Sequence, residues 1–286
     1  MMNSKAMSVP LANHFKLSND QKPKTDHEMK KMSAIPYANI IGSIMYTMIC
    51  TRPDVAQAIS VANRYMANHG REHWSALKWI MRYLKGSTGY GLRFRSKDCH
   101  EEDALQGYCD LDYASNRDNR KSQSGYIFNL YGTAISWKSN LQSVVALSTT
   151  EAEYIALAEV VKEGLWLKGI MEDFGVKQEV VEIRCDSNNA ICLSKHQVFH
   201  ERSKHIDVRM HFIRDEVQNG RIRVEKVSTD HNAADMLTKP LPASKFRYCL
   251  DLVGMCPLQV IDVLKQERVV FHIAKVEFVD LCLCKA

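Results

Sequence analysis

Residues 105–138 read LQGYCDLDYASNRDNRKSQSGYIFNLYGTAISWK, and they are the most informative part of the chain for its architecture. Three short runs at 105–112, 124–131 and 133–138 are typical of consecutive β-strands. Gly132 predicts a tight turn between the last two of them. Asp110 and Asp112 end the first run, and strand alternation places both carboxylates on one face.

The sequence after this stretch predicts a long helix, a fourth strand, two helices, a fifth strand and a final helix. With the first three strands, this order indicates a mixed α/β fold. The predicted bounds are 149–174 for the long helix, 180–186 for the fourth strand, 188–195 and 206–219 for the next helices, 221–227 for the fifth strand and 232–238 for the final helix.

The sequence before it has a different pattern. Residues 1–33 are polar, and we expect a flexible arm there. Residues 37–84 carry apolar residues at helical spacing, with Asp54 placed to cap a helix after Pro53. This helical section is apolar enough to need a cover, so we expect it to pack beside the sheet and to leave some apolar surface exposed.

Composition restricts the class of protein. The formal charge of +5 permits a polyanionic partner without requiring one. Nine cysteines without a CxxC pair, and no apolar run at the N-terminus, indicate a cytoplasmic or nuclear protein that is not secreted. The longest uncharged run, 34–51, is interrupted by polar residues and shorter than a membrane span, so we expect no membrane association.

Four acids lie where predicted strands end or predicted helices begin. Asp110 and Asp186 end strands, whereas Glu153 and Asp235 lie in the first turns of helices. Ser148 with Glu151 forms a capping box before Glu153, and Asn232, three residues before Asp235, is placed to cap the final helix in the same way. Oxygen ligands from several rigid elements are what a hard divalent cation requires.

Each acid taken alone also has a simpler interpretation. An acid in the first turn of a helix commonly interacts only with the helix dipole, and an acid at a strand end is commonly solvated. The strand pattern does not choose between Asp110 and Asp112 either, because both share a face. The pattern therefore leaves a metal site as one of two interpretations.

A series of ordered motifs resembles the C-terminal ribonuclease H region of copia-type retrotransposon Pol polyproteins. The resemblance runs from about Tyr37 to Met255 and then stops. The motifs are GSIMYT at 42–47, TRPD at 51–54, HW at 73–74, RYLKG at 82–86, GYCDLD at 107–112, SQSGY at 122–126, SWKS at 136–139, ALSTTEAEY at 146–154, CDS at 185–187, KHID at 204–207 and ADMLTKPL at 234–241.

This resemblance implies a ribonuclease H-like fold, a mixed five-stranded sheet flanked by helices, with an N-terminal helical appendage. It implies an endonuclease that hydrolyses RNA in RNA–DNA hybrids with two Mg²⁺ or Mn²⁺ ions. The catalytic and metal-binding residues it implies are Asp110, Glu153, Asp186 and Asp235.

The resemblance also implies how the chain is divided. A flexible arm at 1–33 precedes a helical section at 34–95 that resembles the end of the reverse transcriptase, whose core would be a partner. The ribonuclease H-like domain follows at 104–255, and 256–286 lie outside the resemblance.

Basic residues are candidates for contacts to the phosphates of a hybrid. A non-catalytic remnant that binds nucleic acid or a partner is the alternative function. An integrase is a weaker alternative, because the order of the four acids differs. The candidate nucleic-acid-binding residues are Arg117, Arg120, Lys121, Lys138, Lys204 and Arg209.

Overall fold

A mixed β-sheet lies at the centre of the computed structural model, which describes residues 4–94, 105–195 and 207–258. The side chains of residues 193 and 207–210 are outside this description. The strands in these ranges are β1 (Tyr90–Leu92), β2 (Leu105–Asp112), β3 (Gln123–Leu130), β4 (Thr133–Leu141), β5 (Val181–Cys185), β6 (Ile222–Lys226) and β7 (Met255–Pro257).

Helices cover both faces of this sheet. The α-helices in the same ranges are α1 (Asp26–Ser33), α2 (Tyr37–Thr51), α3 (Ala56–Asn63), α4 (Arg71–Gly86), α5 (Thr149–Asp173), α6 (Asn188–Lys195), α7 (Asp207–Gln218), α8 (Asp235–Thr238) and α9 (Ala243–Leu252).

The sheet has the strand order β4-β3-β2-β5-β6. The pairs β2–β3 and β3–β4 are antiparallel, whereas β2–β5 and β5–β6 are parallel. Tyr131 and Gly132 both have positive φ in the turn between β3 and β4, as a two-residue hairpin turn requires. The expected α/β fold with a mixed five-stranded sheet is confirmed.

Two hydrophobic cores lie on opposite sides of the sheet. One contains Phe128 and Ile183 from the strands and packs against α5. The other contains Tyr108 and Ile127, and it includes buried residues of α2, α3 and α4 together with α8 and α9. The helical section therefore covers one sheet face, as expected. Tyr46 and Ile49 of α2 stay 62% and 51% exposed.

The N-terminal residues differ from the expected flexible arm. Leu11 and Leu17 are buried, and the backbone carbonyls of Val9 and Ser18 accept hydrogen bonds from side chains of α4. Leu11 and Leu17 pack into the core, and the two carbonyls accept from the Trp79 and His73 side chains. Neither kind of contact produces a helical periodicity in the sequence. Residues 4–33 thus form part of the helical layer.

Two capping expectations also need correction. Asp54 caps no helix: it is fully buried, 2.7 Å from Arg52 Nη2, and accepts a hydrogen bond from Tyr83. Asn232 precedes α8 without capping it, because its side chain donates to the Cys109 carbonyl and accepts from the Ala234 amide. Both polar side chains satisfy buried groups instead.

The end of the fold also differs from the expected boundary at residue 255. Strand β7 pairs with β1, Cys256 opposite Gly91, and the Leu258 amide donates to the Gly89 carbonyl. Cys256 and Pro257 therefore belong to the folded part, whereas residues 259–286 lie outside the described ranges.

Candidate metal and active site

Parallel pairing of β2 and β5 brings two of the four acids together. Cys109 pairs with Cys185, so Asp110 and Asp186 follow at the same edge of the sheet. Asp235 of α8 joins them, and one carboxylate oxygen from each of the three acids lies within 4.8 Å of the others. Glu153 of α5 lines the same cavity of about 220 Å³ as Asp110 and Asp186.

The position of Glu153 follows from the start of α5. The Ser148 hydroxyl accepts from the Glu151 amide at 3.1 Å, and the Glu151 carboxylate accepts from the Leu147 amide at 2.7 Å. These contacts fix the first turn of the helix. The Ser187 hydroxyl then donates to the Glu153 carboxylate from the other side of the cavity.

The position of Asp235 follows from a close approach of α8 to the sheet. A Cβ atom on Gly125 of β3 would lie 2.7 Å from Leu237 Cβ, so only glycine permits this contact. Asn232 donates to the Cys109 carbonyl at 2.9 Å, and the Thr238 hydroxyl donates to Asp110. The segment is thereby attached to β2 on both sides of Asp235.

Burial and mutual repulsion determine the protonation of this cluster. Asp110 and Asp235 are 7% and 2% exposed. Burial raises the pKa of Asp110 to about 7, and Asp235 and Asp186 add to the rise, whereas Lys239 and Thr238 oppose it. Burial likewise raises the pKa of Glu153, against the hydrogen bond from Ser187.

Lysine side chains offset part of the negative charge. Lys239 Nζ lies 3.2 Å from Asp110 Oδ2 and 3.0 Å from Asp235 Oδ1. Lys245 Nζ lies 3.5 Å from Asp235 Oδ2. Since four acids line this edge and Asp110 and Asp235 are buried, the cluster needs positive charge to be fully ionised.

These residues fit a hard divalent cation. The ligands are carboxylate oxygens on rigid elements, they converge, and one cavity reaches three of the four acids. Asp112 is a second carboxylate on β2, but it does not join the group formed by Asp110, Asp186 and Asp235. The structure thus distinguishes the two aspartates that the strand pattern left equivalent.

The candidate nucleic-acid-binding residues lie in different places. Arg117, Arg120 and Lys121 are in the loop between β2 and β3, which leaves the sheet at the acidic edge. Lys138 of β4 is ion-paired with Glu159 at 3.4 Å. Lys204 and the side chain of Arg209 lie outside the described residues.

Sequence reasoning missed three residues of the site: Ser187, Thr238 and Lys239. Each contacts one or more of the four acids. Ser187 and Thr238 are uncharged, so a pattern of acidic metal ligands does not include them. Lys239 follows Asp235 by one helical turn, a spacing that favours ion pairs and could have indicated it.

The strand order, the two covered faces and the acidic edge define an α/β protein with a ribonuclease H-like fold. No family model matches the chain. It is 51% identical over 255 residues to the retrovirus-related Pol polyprotein from transposon TNT 1-94 of Nicotiana tabacum. This match covers 89% of this chain and 19% of that protein. The retrovirus-related Pol polyprotein from transposon RE2 of Arabidopsis thaliana is 36% identical over 257 residues, and the match covers 89% of this chain and 17% of that protein.

The chain is thus similar, over 89% of its length, to Pol polyproteins of copia-type retrotransposons, and it has a ribonuclease H-like fold. It spans about a fifth of the length of these relatives. Among solved structures it is similar to LC11-RNase H1 in complex with an RNA/DNA hybrid, at 16% identity and a TM-score of 0.37, over 47% of this chain and 93% of that one.

The described helices were also compared with the requirements of a membrane span. No single one of them is long and apolar enough to cross a membrane. Only α1 and α2 together reach the required length and composition, and they are bent by 43° at the break between them.

Proposed function

We propose that this chain is a divalent-metal-dependent ribonuclease H that cuts the RNA strand of RNA–DNA hybrids. The observation that carries the proposal is the convergence of Asp110, Asp186 and Asp235, with oxygens within 4.8 Å of one another, beside Glu153. Its similarity to the Pol polyproteins over 89% of its length supports the same function.

The residues of the candidate site have different roles. Asp110, Asp186, Asp235 and Glu153 would hold Mg²⁺ or Mn²⁺, which would supply an activated water and stabilise the leaving oxygen of a phosphodiester. The Thr238 hydroxyl orients Asp110. The Ser187 hydroxyl orients Glu153 in the same way.

The loop between β2 and β3 would contact the phosphates of the hybrid. Asp118 accepts hydrogen bonds from the Asn19 amide at 2.8 Å and the Tyr65 hydroxyl at 3.1 Å, which hold the loop against the helical layer. Arg117 and Arg120 are exposed on this anchored loop, and Arg117 also donates to the Lys16 carbonyl at 3.1 Å. Arginine side chains in such a position suit phosphate contacts that do not depend on sequence.

We also propose a second partner, the polymerase part of the polyprotein. The exposed apolar side chains of α2, Tyr46 and Ile49, would meet it. Tyr46 and Ile49 are three residues apart on α2 and therefore share a helix face, where they would offer one apolar surface to the partner.

The test is cleavage by the full chain of an RNA–DNA hybrid labelled on the RNA strand. We expect cutting with Mg²⁺ or Mn²⁺, none with excess chelator, and none of a DNA duplex of the same sequence. Binding of the hybrid without cutting at any metal concentration would refute the nuclease and support the non-catalytic remnant.

A further inference from the structure

A cation of the chain itself already lies among the carboxylates. Lys239 Nζ is 3.2 Å from Asp110 Oδ2 and 3.0 Å from Asp235 Oδ1, so the ammonium group bridges two elements. Its side chain is 32% exposed and lines the cavity that Asp110, Asp186 and Glu153 also line. The bridge therefore lies inside the candidate metal site.

We propose that Lys239 is a resident cation of this site, and that a divalent ion reaches the Asp110–Asp235 side only by displacing its ammonium group. The inference rests on the proposed function, since it presupposes that the four acids bind metal. It implies that the site takes one divalent ion readily and a second one only at higher concentration.

The local backbone holds Lys239 in place. The amide of Lys239 donates to the Asp235 carbonyl at 3.2 Å, which closes the turn of α8. The side chain consequently starts next to Asp235 and extends toward Asp110, and Thr238 binds Asp110 from the same turn. Because the Lys239 backbone is anchored at the end of α8 and both carboxylates are held in place, the ammonium group stays near Asp110 and Asp235.

Electrostatic attraction allows the Lys239 ammonium group to compete with a divalent ion for Asp110 and Asp235. Asp110 and Asp235 are buried, so solvent screens their repulsion poorly. Lys239 opposes the rise in the pKa of Asp110 and thereby favours its ionised form. Asp186 and Glu153 form no ion pair with Lys239 in the part of the chain that the structure describes. Lys226 lies on their side of the cavity, where it donates to the Asp186 backbone carbonyl and its charge lowers the pKa of Glu153, but it bridges no two of the four acids in the described residues. The first ion would therefore bind on this side.

Lys245 provides a matched control. Its Nζ lies 3.5 Å from Asp235 Oδ2 and donates to the Thr229 carbonyl at 2.6 Å. Within the described residues its ion pair is with Asp235 alone, so it adds the same charge near the site without bridging two acids. Replacing Lys245 therefore distinguishes an effect of charge alone from displacement of the bridging Lys239 ammonium group.

The experiment is a Mn²⁺ titration of the full chain, with free Mn²⁺ measured by electron paramagnetic resonance. We expect one bound ion in the wild type over the range in which Lys239→Met binds two, the second about tenfold more tightly than in the wild type. Lys245→Met should keep the wild-type number, and Lys239→Arg should restore it. Circular dichroism shows whether Lys239→Met folds, and Lys239→Gln replaces it if it does not.

The outcomes separate this inference from the function on which it rests. If Lys239→Met binds Mn²⁺ as the wild type does, or if Lys245→Met gains as much, Lys239 is no resident cation, although the metal site stands. If neither the wild type nor Lys239→Met binds Mn²⁺ more tightly than Asp110→Asn does, the metal site itself is absent and both proposals fail.

Discussion

Burial of Asp110 couples the site to the stability of the whole chain. The carboxyl has a pKa near 3.8 when unfolded and about 7 in the fold. The folded state therefore binds more protons between these values, and the free energy of unfolding falls as pH rises from 4 to 7. Above pH 7 this contribution is lost completely.

Asp110→Asn should remove that dependence. In excess chelator, we expect the melting temperature of the wild type to fall from pH 5 to pH 8 by more than that of the variant. The amide keeps the shape of the side chain but does not ionise. Parallel curves for the two proteins would show that Asp110 is not held in the protonated form.

At this scale the sequence predicted the acids better than their surroundings. The positions of Asp110, Asp186 and Asp235 followed from strand ends and a helix start, because backbone geometry determines them. The choice of Asp110 over Asp112 came from the resemblance, since both residues lie on one strand face. The contact between Lys239 and Asp110 joins residues far apart in sequence, and only the packing of α8 on the sheet reveals it.

Among the elements, α8 depends most on a single position, Gly125. In Gly125→Ala the new methyl group would meet Leu237 Cβ at 2.7 Å and Thr238 Cγ2 at 3.0 Å, so α8 has to shift. We expect a loss of about 1–3 kcal/mol in the free energy of unfolding and weaker Mn²⁺ binding.

Gly169→Ala is the control for this substitution. Nothing lies within 4 Å of a Cβ atom at Gly169 of α5, so the variant should be neutral or more stable by up to about 1 kcal/mol. Equal Mn²⁺ affinity in wild type and Gly125→Ala would mean that α8 does not depend on this contact.

The N-terminal segment depends on the buried His73. Its Nδ1 accepts from the Gly70 amide at 2.8 Å, and its Nε2 contacts the Ser18 carbonyl at 3.1 Å. Burial lowers the pKa of His73 to about 4, against an ordinary value of 6.5. The unfolded state thus binds more protons between these values, and stability falls as pH drops from 6.5 to 4.

In His73→Gln we expect a smaller loss of melting temperature between pH 7 and pH 4.5 than in the wild type. Glutamine keeps a donor and an acceptor but has no proton to take up in this range. An equal loss in both proteins would place the pH-sensitive group elsewhere.

Elements with a strong local pattern were predicted closely, and those without one were not. Strand β2 has the predicted bounds, because its apolar side chains and the turn that follows it favour the same strand. Helix α9 was not predicted, and neither was the packing of residues 4–33. Both depend on buried side chains, Phe246 of α9 and Leu11 of the N-terminal segment, that contact residues far away in sequence, and a local pattern does not contain such contacts.

At the scale of the molecule, the helical section and the sheet share one hydrophobic core. Leu77 and Ile80 of α4 belong to the same cluster as Ile127 of β3 and Leu237 of α8. Strands β1 and β7 add a second connection between the two parts. The division at residues 95–104 that the sequence suggested would therefore separate pieces that pack on each other.

A specific protease site inserted between residues 94 and 105 tests this. After complete cleavage, we expect the two pieces to elute together from a sizing column under native conditions and to separate in denaturant. A sheet fragment that elutes alone and still binds Mn²⁺ would show instead that the ribonuclease H-like domain is independent of the helical section.

The assignment of this site is tested by comparing two neighbouring carboxylates on one strand. The rate of RNA-strand cleavage in a hybrid is measured with saturating Mg²⁺ for the wild type, Asp110→Asn and Asp112→Asn. Asp110 belongs to the acidic cluster and Asp112 does not. We predict that Asp110→Asn lowers the rate at least about a hundredfold, as loss of a group that holds the catalytic ion should, whereas Asp112→Asn changes it by less than about tenfold. Equal rates for Asp110→Asn and the wild type, or an equal loss in both variants, would contradict the assignment of this site.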